Sequence, residues 1–302
     1  MDRRDAAARL SGIAAAAAGF VAALSPAPAL AAELGDGPSD RLGTGLLEGR
    51  VSENLLVPPP YGIETPDVYY PPWFAGLWSA VSVCTDVQAP CGPTLFGGES
   101  ALTVAKGEVG PDGALRYRSR FVRGGGEVRP VVVADREYNV RDIARAAMGP
   151  NSVLDVTVTS PNKLSCLLSP AGAGRMMSVD LITLARRQED NVNGSSREFH
   201  CAEVVRQIVA NADGARPQAT MAGPPRPGTR PPLLKEVETV CLYSAIDAKG
   251  VDGDITKIKC RQRSATFLLP SQQDPITYQM WQMSRGRPID VRFYDVTYEK
   301  VT

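Results

Sequence analysis

The sequence has only one histidine, His200, among its 302 residues. Most zinc sites and the Ser-His-Asp and Cys-His catalytic groups need histidine, so any such site would depend on this single side chain. His200 precedes Cys201, and the two form either a ligand or nucleophile pair or an ordinary piece of strand. The ordinary strand is the simpler interpretation, and the sequence predicts no catalytic residue, no cofactor and no metal site.

An excess of either charge is also missing, because 33 basic and 33 acidic side chains balance. Proteins that bind nucleic acids concentrate Lys and Arg against the phosphate backbone, so nucleic acid is not an expected partner. Beyond the N-terminal region no apolar run approaches the roughly 20 residues of a membrane-spanning helix. We therefore expect a mature chain that does not span a membrane.

The first 31 residues have the pattern of an export signal. Arg3-Arg4 precede an uncharged, alanine-rich stretch from Leu10 to Leu24, and Ala29-Leu30-Ala31 has the small residues of a cleavage site. The paired arginines resemble a twin-arginine signal; the alternatives are an ordinary secretory signal or the end of a chloroplast transit peptide. Each places the mature protein, which begins near Ala32, beyond a membrane.

Six cysteines in an exported chain favour disulfides over free thiols. Cys84 and Cys91 are close enough in sequence to join the end of a strand to its turn. Cys241 and Cys260 lie symmetrically about Gly250-Val251 in a turn-like segment, where a hairpin would bring them face to face. Cys166 and Cys201 remain as a third pair by elimination. The alternative is six small buried thiols.

Alternating apolar residues predict an all-β, mainly antiparallel domain of nine or ten strands with one short helix, arranged as a single barrel or a strongly coiled sheet. Ala114 to Arg123 shows the pattern most clearly, with Tyr117 and Phe121 on one face and arginines on the other. The helix is expected at Asp135 to Met148, and Gly92 to Gly113 as a long loop with a short strand. Further strands are predicted from Trp78 onward and at 128–133, 153–159, 163–168, 176–186, 197–208, 236–246, 255–269, 276–283 and 289–298.

Two segments lack this alternation. Residues 32–66 are rich in Gly, Pro and Ser and are predicted to be a flexible or surface-lying lead segment before a domain at 67–302. The segment at about 214–232 holds six prolines and three glycines, which no sheet accommodates, and is predicted to be a disordered insertion.

Four stretches together resemble an uncharacterised family of cyanobacterial and chloroplast proteins: 67–78 (DVYYPPWFAGLW), 86–90 (DVQAP), 132–139 (VVADREYN) and 161–164 (PNKL). The Gly76-Leu77-Trp78 triplet is also similar to the Gly-x-Trp that begins lipocalin barrels. The resemblance implies a thylakoid-lumenal protein with a lipocalin-like single β-barrel and no assigned activity. It also implies that Trp78 packs at the barrel floor under an arginine of the last strand, for which Arg292 is the counterpart.

A closed barrel of about eight strands is either filled by side chains or holds one small ligand. The leading hypothesis is a non-catalytic carrier of a small hydrophobic ligand such as a lipid, pigment or quinone-like molecule. The alternative is a docking or assembly factor for a photosynthetic membrane complex. The compartment would be a thylakoid lumen or, alternatively, a bacterial periplasm. The side chains expected to line the ligand cavity are Tyr117, Phe121, Leu154, Val156, Leu181, Tyr243 and Phe267.

Overall fold

The computed structural model describes residues 45–124, 131–169, 176–190, 192, 195–212, 233–248, 255–270 and 275–302. The predicted export signal and the proline-rich insertion lie outside the described residues. The helices are α1 (Leu46–Ser52), α2 (Pro93–Phe96), α3 (Glu99–Gly107), α4 (Arg136–Met148) and α5 (Pro275–Ser284). The strands are β1 (Gly76–Gln88), β2 (Leu115–Gly124), β3 (Val131–Ala134), β4 (Val153–Ser160), β5 (Lys163–Leu168), β6 (Met177–Asp190), β7 (Glu198–Asn211), β8 (Leu233–Ala248), β9 (Ile255–Leu268) and β10 (Asp290–Lys300).

The ten strands form one sheet in the order β3-β2-β1-β10-β9-β8-β7-β6-β5-β4, and neighbouring strands are antiparallel. Strands β4 to β10 follow one another in chain order. β1 lies between β2 and β10, so the first and last strands of the domain pair directly. The prediction of a mainly antiparallel β fold is confirmed.

The sheet curls into a half-barrel that stays open, whereas the sequence predicted a closed barrel. In the described part of the chain β3 and β4 do not pair with each other and are the two edge strands. Helix α4 connects these edges and packs against both β2 and β4. Its apolar face, with Val140 and Ile143, joins the buried cluster on β4, β5 and β6. Helix α4 therefore lies between β3 and β4, where a closed barrel would have a hydrogen-bonded pair of strands.

Local chemistry explains the position of α4. Asp135 has extended backbone angles and its carboxylate accepts the Tyr138 N–H at 3.1 Å, which caps the first turn. Gly149, at φ 106°, ends the helix in a conformation that a side chain would disfavour. The predicted helix at this position is confirmed.

Two other predicted elements are wrong. The stretch from Gly92 to Gly113 holds the helices α2 and α3, and not a loop with a strand at 100–105. The stretch from Ile276 to Met283, predicted as a strand, lies in helix α5. Among the described residues, no helix combines the length and the apolar character needed to cross a bilayer.

Part of the lead segment, from residue 45 onward, is structured. Leu47 and Val51 of α1 pack on the outer face of the sheet against Val204, Val240 and Leu242. Arg50 of α1 is also buried and binds Glu238 on β8. Residues 45–66 therefore belong to the folded domain and cover the convex side of β6 to β9.

Candidate functional site

Aromatic side chains fill one end of the inner, concave face of the half-barrel. Phe74 lies 4.9 Å from Phe121 and 5.0 Å from Tyr243, measured between ring centroids. Tyr70 lies 4.8 Å from both Phe74 and Phe121, and Tyr243 lies 6.1 Å from Tyr298. These edge-to-face and tilted contacts are typical of a packed core. The rings thus pack against one another at this end.

A row of polar side chains crosses the inner face above the aromatic cluster. Direct cross-strand pairing places these residues side by side on β6, β7, β8, β9 and β10. Each of them is at most 3% exposed. Five neighbouring buried polar residues are unusual in a sheet, because each must find hydrogen-bond partners away from water. We call this set the inner polar row: Arg186, Glu203, Thr239, Ser264 and Arg292.

The two ends of the inner polar row are neutralised within the protein. Arg186 donates from Nε to Glu203 at 2.7 Å and from a terminal nitrogen to the carbonyl oxygens of Thr65 and Pro66. At the other end Arg292 donates from Nε to both carboxylate oxygens of Asp290 at 3.1 Å. The two terminal arginines are therefore held in place by carboxylates and backbone carbonyls.

The centre of the row has unsatisfied groups. Thr239 Oγ1 and Ser264 Oγ are buried, lie on directly paired residues, and have no hydrogen-bond partner within the described part of the chain. Glu203 Oε2, on the next strand, is likewise unpartnered among those residues. Leaving a buried polar group unpaired costs about 1–3 kcal/mol. Three such groups side by side mark a place where a polar atom of a ligand or a water molecule would be stabilised.

A second pair of charges lies beside Glu203. Arg136, in the first turn of α4, donates to Asp67 at 3.3 Å and lies 4.0 Å from Glu203. Burial raises the pKa of Asp67 to about 6 and lowers the pKa of Arg136 to about 10. Burial also raises the pKa of Glu203, although Arg186 and Arg136 oppose the shift. Carboxyl groups on the inner face are therefore protonated more readily than carboxyl groups in water.

Three cysteines lie in the buried cluster that contains the aromatic rings, and two of them separate the rings from the inner polar row. Cys201 on β7 is directly opposite Cys241 on β8, and Cys260 on β9 is paired with Tyr243. All three are buried within the cluster that contains Trp78 and the aromatic rings. Burial raises the pKa of Cys201 and of Cys260 well above the usual thiol value, so both are protonated thiols at neutral pH.

All six cysteines are free thiols in the structure, so none of the three predicted disulfides is present. Cys241 is opposite Gln262 and not Cys260, because the register that pairs Ala248 with Ile255 near the turn places Cys260 opposite Tyr243. Cys166 belongs to the cluster under α4, which is separate from that of Cys201. The Cys91 sulfur faces the carbonyl oxygens of Ser284 and Pro288, while Cys84 contacts its own strand at Asp86.

The residues predicted to line a ligand cavity do not share one surface. Tyr117, Phe121 and Tyr243 lie in or against the aromatic cluster, and Val156 and Leu181 lie in the cluster under α4. Leu154 is 49% exposed, because a bulge between Val153 and Asp155 changes which side chains of β4 point inward. Phe267 lies on the outer face beside Leu56. The predictions for Leu154 and Phe267 are therefore wrong.

The predicted contact between Trp78 and Arg292 is also wrong. Trp78 is fully buried and donates from its indole nitrogen to the Phe74 carbonyl at 2.7 Å. Its strand partner is Lys300, whose ammonium lies 5.9 Å from the indole ring, whereas Arg292 lies far along the strand, opposite Val87. The guanidinium of Arg292 lies over Phe96, 5.8 Å from the ring centre.

His200 points to the outer face, away from Cys201. Its Nδ1 lies 3.9 Å from Glu189 Oε2, in a buried region that α1 covers. Consecutive strand residues face opposite sides of a sheet, so a His200–Cys201 nucleophile pair is excluded by geometry. In the described residues no group of three or more His, Cys, Asp or Glu side chains is arranged to hold a metal ion.

Sequence reasoning missed the inner polar row, although a signal for it exists. In β9 the consecutive inward positions are Gln262, Ser264 and Thr266, and in β7 the inward positions Cys201, Glu203 and Gln207 are interrupted only by Val205. Polar residues at every second position, in strands whose other face is also buried, indicate a polar interior.

A family model described as a domain of unknown function (DUF6816) matches residues 62–302. The match covers all ten strands and begins within the segment that lies on the outer face. No curated protein matches the chain. No solved structure matches it either.

Proposed function

The chain belongs to the DUF6816 family, and we propose that it is a non-catalytic, lipocalin-like binding protein that holds one small ligand inside its half-barrel. The proposal rests on one observation, the opposed and unpartnered hydroxyls of Thr239 and Ser264. A ligand oxygen or nitrogen between them would form the hydrogen bonds that the protein leaves open. The inner polar row is thus the proposed site of the ligand's polar end.

The ligand class follows from the surroundings of these hydroxyls. The next pair on the inner face is Val205 with Val237, and Val205 joins the apolar cluster that includes Leu181 and the buried side of α4. A ligand at this position would meet polar groups at one end and aliphatic side chains at the other. An amphipathic molecule with a carbonyl or hydroxyl group, as quinone-like molecules, pigments and lipids have, fits this arrangement. The packed aromatic cluster is not part of the proposed site.

The compartment is part of the proposal. Arg3-Arg4, the alanine-rich stretch and the Ala29-Leu30-Ala31 sequence support export to a thylakoid lumen, with a bacterial periplasm as the alternative. The buried, nearly neutral interior supports binding without a reaction.

Native mass spectrometry of the mature protein, purified from its own membranes without reduction, tests the proposal. We expect a stoichiometric small adduct that is lost on denaturation. The double variant Thr239→Val/Ser264→Ala should lose the adduct, whereas Thr297→Val, a change on the opposite face of β10, should keep it. Because the double change removes unpaired hydroxyls, the ligand-free protein should become more stable, by about 1–3 kcal/mol for each hydroxyl.

A bare mass, or an adduct that the double variant retains, would overturn the proposal. A bare mass would support the second candidate function, a docking or assembly factor for a photosynthetic membrane complex. One observation favours this second function, the exposed apolar surface of helix α5, which would hold the domain at the membrane in which such a complex lies.

A further inference from the structure

Helix α5 exposes its apolar side chains to solvent. The helix has no charged residue in ten positions, and Ser284 is its only buried side chain. Ile276 is 70% exposed and Met283 is 54% exposed. A helix of a globular domain normally turns its apolar stripe toward the core, so this arrangement is the reverse of the usual one.

The apolar side chains follow the helix period. The exposed Ile276 and Met283 and the half-buried Met280 are spaced by four and three residues and form one stripe. Tyr278 and Trp281 are three apart, with ring centroids separated by 5.6 Å. The polar residues Gln279 and Gln282 share the remaining exposed side. The main contact of α5 with the sheet is with β9.

Positive charge follows the helix directly. Arg285 and Arg287 are both exposed, and Arg285 and Gly286 have left-handed backbone angles of φ 54° and φ 73°. The Arg287 backbone N–H donates to the Ser284 carbonyl at 3.0 Å, which keeps the turn compact. The two guanidinium groups therefore stay close to the C-terminal end of the apolar stripe.

We propose that α5, together with Arg285 and Arg287, docks the domain on an anionic lipid surface. The stripe of Ile276, Met280 and Met283 would enter the boundary between headgroups and acyl chains, and the two arginines would bind lipid phosphates. Trp and Tyr side chains are enriched at this depth of a bilayer, which suits Tyr278 and Trp281. This docking surface is independent of the ligand site inside the half-barrel.

The size and charge of the surface favour a lipid over a protein partner. A ten-residue helix is about 15 Å long. A stable protein interface buries about 800 Å² on each partner, more than one short stripe provides. Insertion of a few apolar side chains into a bilayer needs no matching shape, and the adjacent arginines complement anionic headgroups.

Co-sedimentation of the mature chain with lipid vesicles tests the proposal. We expect binding to vesicles that contain phosphatidylglycerol, weaker binding at high salt, and little binding to pure phosphatidylcholine. Removing two charges with Arg285→Gln/Arg287→Gln should weaken binding roughly thirtyfold, because each basic residue near an anionic surface contributes about a fivefold gain. Ile276→Gln/Met283→Gln should also weaken it.

Matched controls separate vesicle binding by α5 from nonspecific binding through other exposed charged or apolar side chains. Arg116→Gln/Arg118→Gln removes two exposed arginines from β2, and Val57→Gln/Leu154→Gln removes two exposed apolar side chains elsewhere. Both control variants should bind vesicles as the unmodified chain does. Failure of the unmodified chain to bind anionic vesicles at low salt would overturn the proposal. So would equal binding by the α5 variants, or capture of a protein partner by α5 without vesicle binding.

Discussion

Glu238 is a fully buried carboxylate on the outer face, held between two arginines. Arg50 of α1 donates to it from two nitrogens, at 2.5 and 2.7 Å, and Arg263 of β9 donates at 3.2 Å. The Tyr61 hydroxyl donates to the same carboxylate at 2.7 Å. One acidic side chain on β8 thus connects the lead segment to the sheet.

Glu238→Ala is expected to lower the free energy of unfolding by about 3–5 kcal/mol, because it leaves two buried arginines without their partner. Glu236 offers a matched control, since it lies two residues earlier on the same face of β8 and pairs with the more exposed Arg206. Glu236→Ala should cost about 1 kcal/mol or less. Urea unfolding of both variants measures the difference, and equal losses would contradict this assignment.

Asp67 makes the free energy of unfolding depend on pH. Its pKa in the folded protein is about 6, mainly because of burial, whereas the unfolded value is about 4. The folded state therefore holds the proton more tightly, and the stabilisation from protonation is present below about pH 4 and is lost as the pH rises to 6. Compared with Asp67→Asn, the unmodified chain should lose up to about 3 kcal/mol over this interval.

The measurement is the difference in unfolding free energy between the unmodified chain and Asp67→Asn at several pH values from 4 to 7. Taking the difference removes the contributions of groups that titrate alike in both chains, such as exposed carboxylates remote from Asp67. A difference that stays constant with pH would show that Asp67 is not the group responsible.

At the scale of elements, local sequence chemistry predicted those parts of the fold that depend on neighbours in the chain. The alternation in β2 needs only one buried and one exposed face, and the structure provides both. Helix α4 has its own capping residue, Asp135, and its own stop at Gly149. Such signals are complete within about fifteen residues, so no knowledge of the rest of the chain was needed.

Helix α5 shows why local pattern can fail. Ile276, Tyr278 and Met280 alternate with polar residues, which suits a strand as well as a helix. A strand here would need a free sheet edge, but β9 already pairs with β8 and β10 on its two sides. The positions of neighbouring strands decided the outcome, and these positions are not encoded within the segment.

The inner polar row could not be predicted from the sequence for a related reason. Its members come from five strands spread over more than 100 residues, and they meet only because the register of every intervening pair is fixed. The bulge at Thr183/Ala185 shifts the pairing of β6 with β7 by a residue, and this shift places Arg186 opposite Glu203. A one-residue shift turns a side chain to the other face, so the row requires the whole sheet to be known.

At the scale of the whole molecule, two features hold the half-barrel together without closing it. The pairing of β1 with β10 joins the beginning and the end of the domain, and α4 connects the two edge strands. The outer face has its own cover, because residues 45–66 lie over β6 to β9. The family match at residue 62 excludes most of this cover, which raises the question of how far the fold depends on it.

We expect the cover to be essential for stability. A chain that begins at residue 62 would expose Val204, Val240 and Leu242 to water and would deprive Glu238 of Arg50 and Tyr61. Loss of a buried ion-pair partner alone costs about 3–5 kcal/mol, and the apolar exposure adds to it. Urea unfolding of chains that begin at residues 32, 45 and 62 tests this. The first two should be similarly stable and the third much less so; equal stability of the chains beginning at 45 and 62 would show that the ten-stranded sheet is stable without its outer cover.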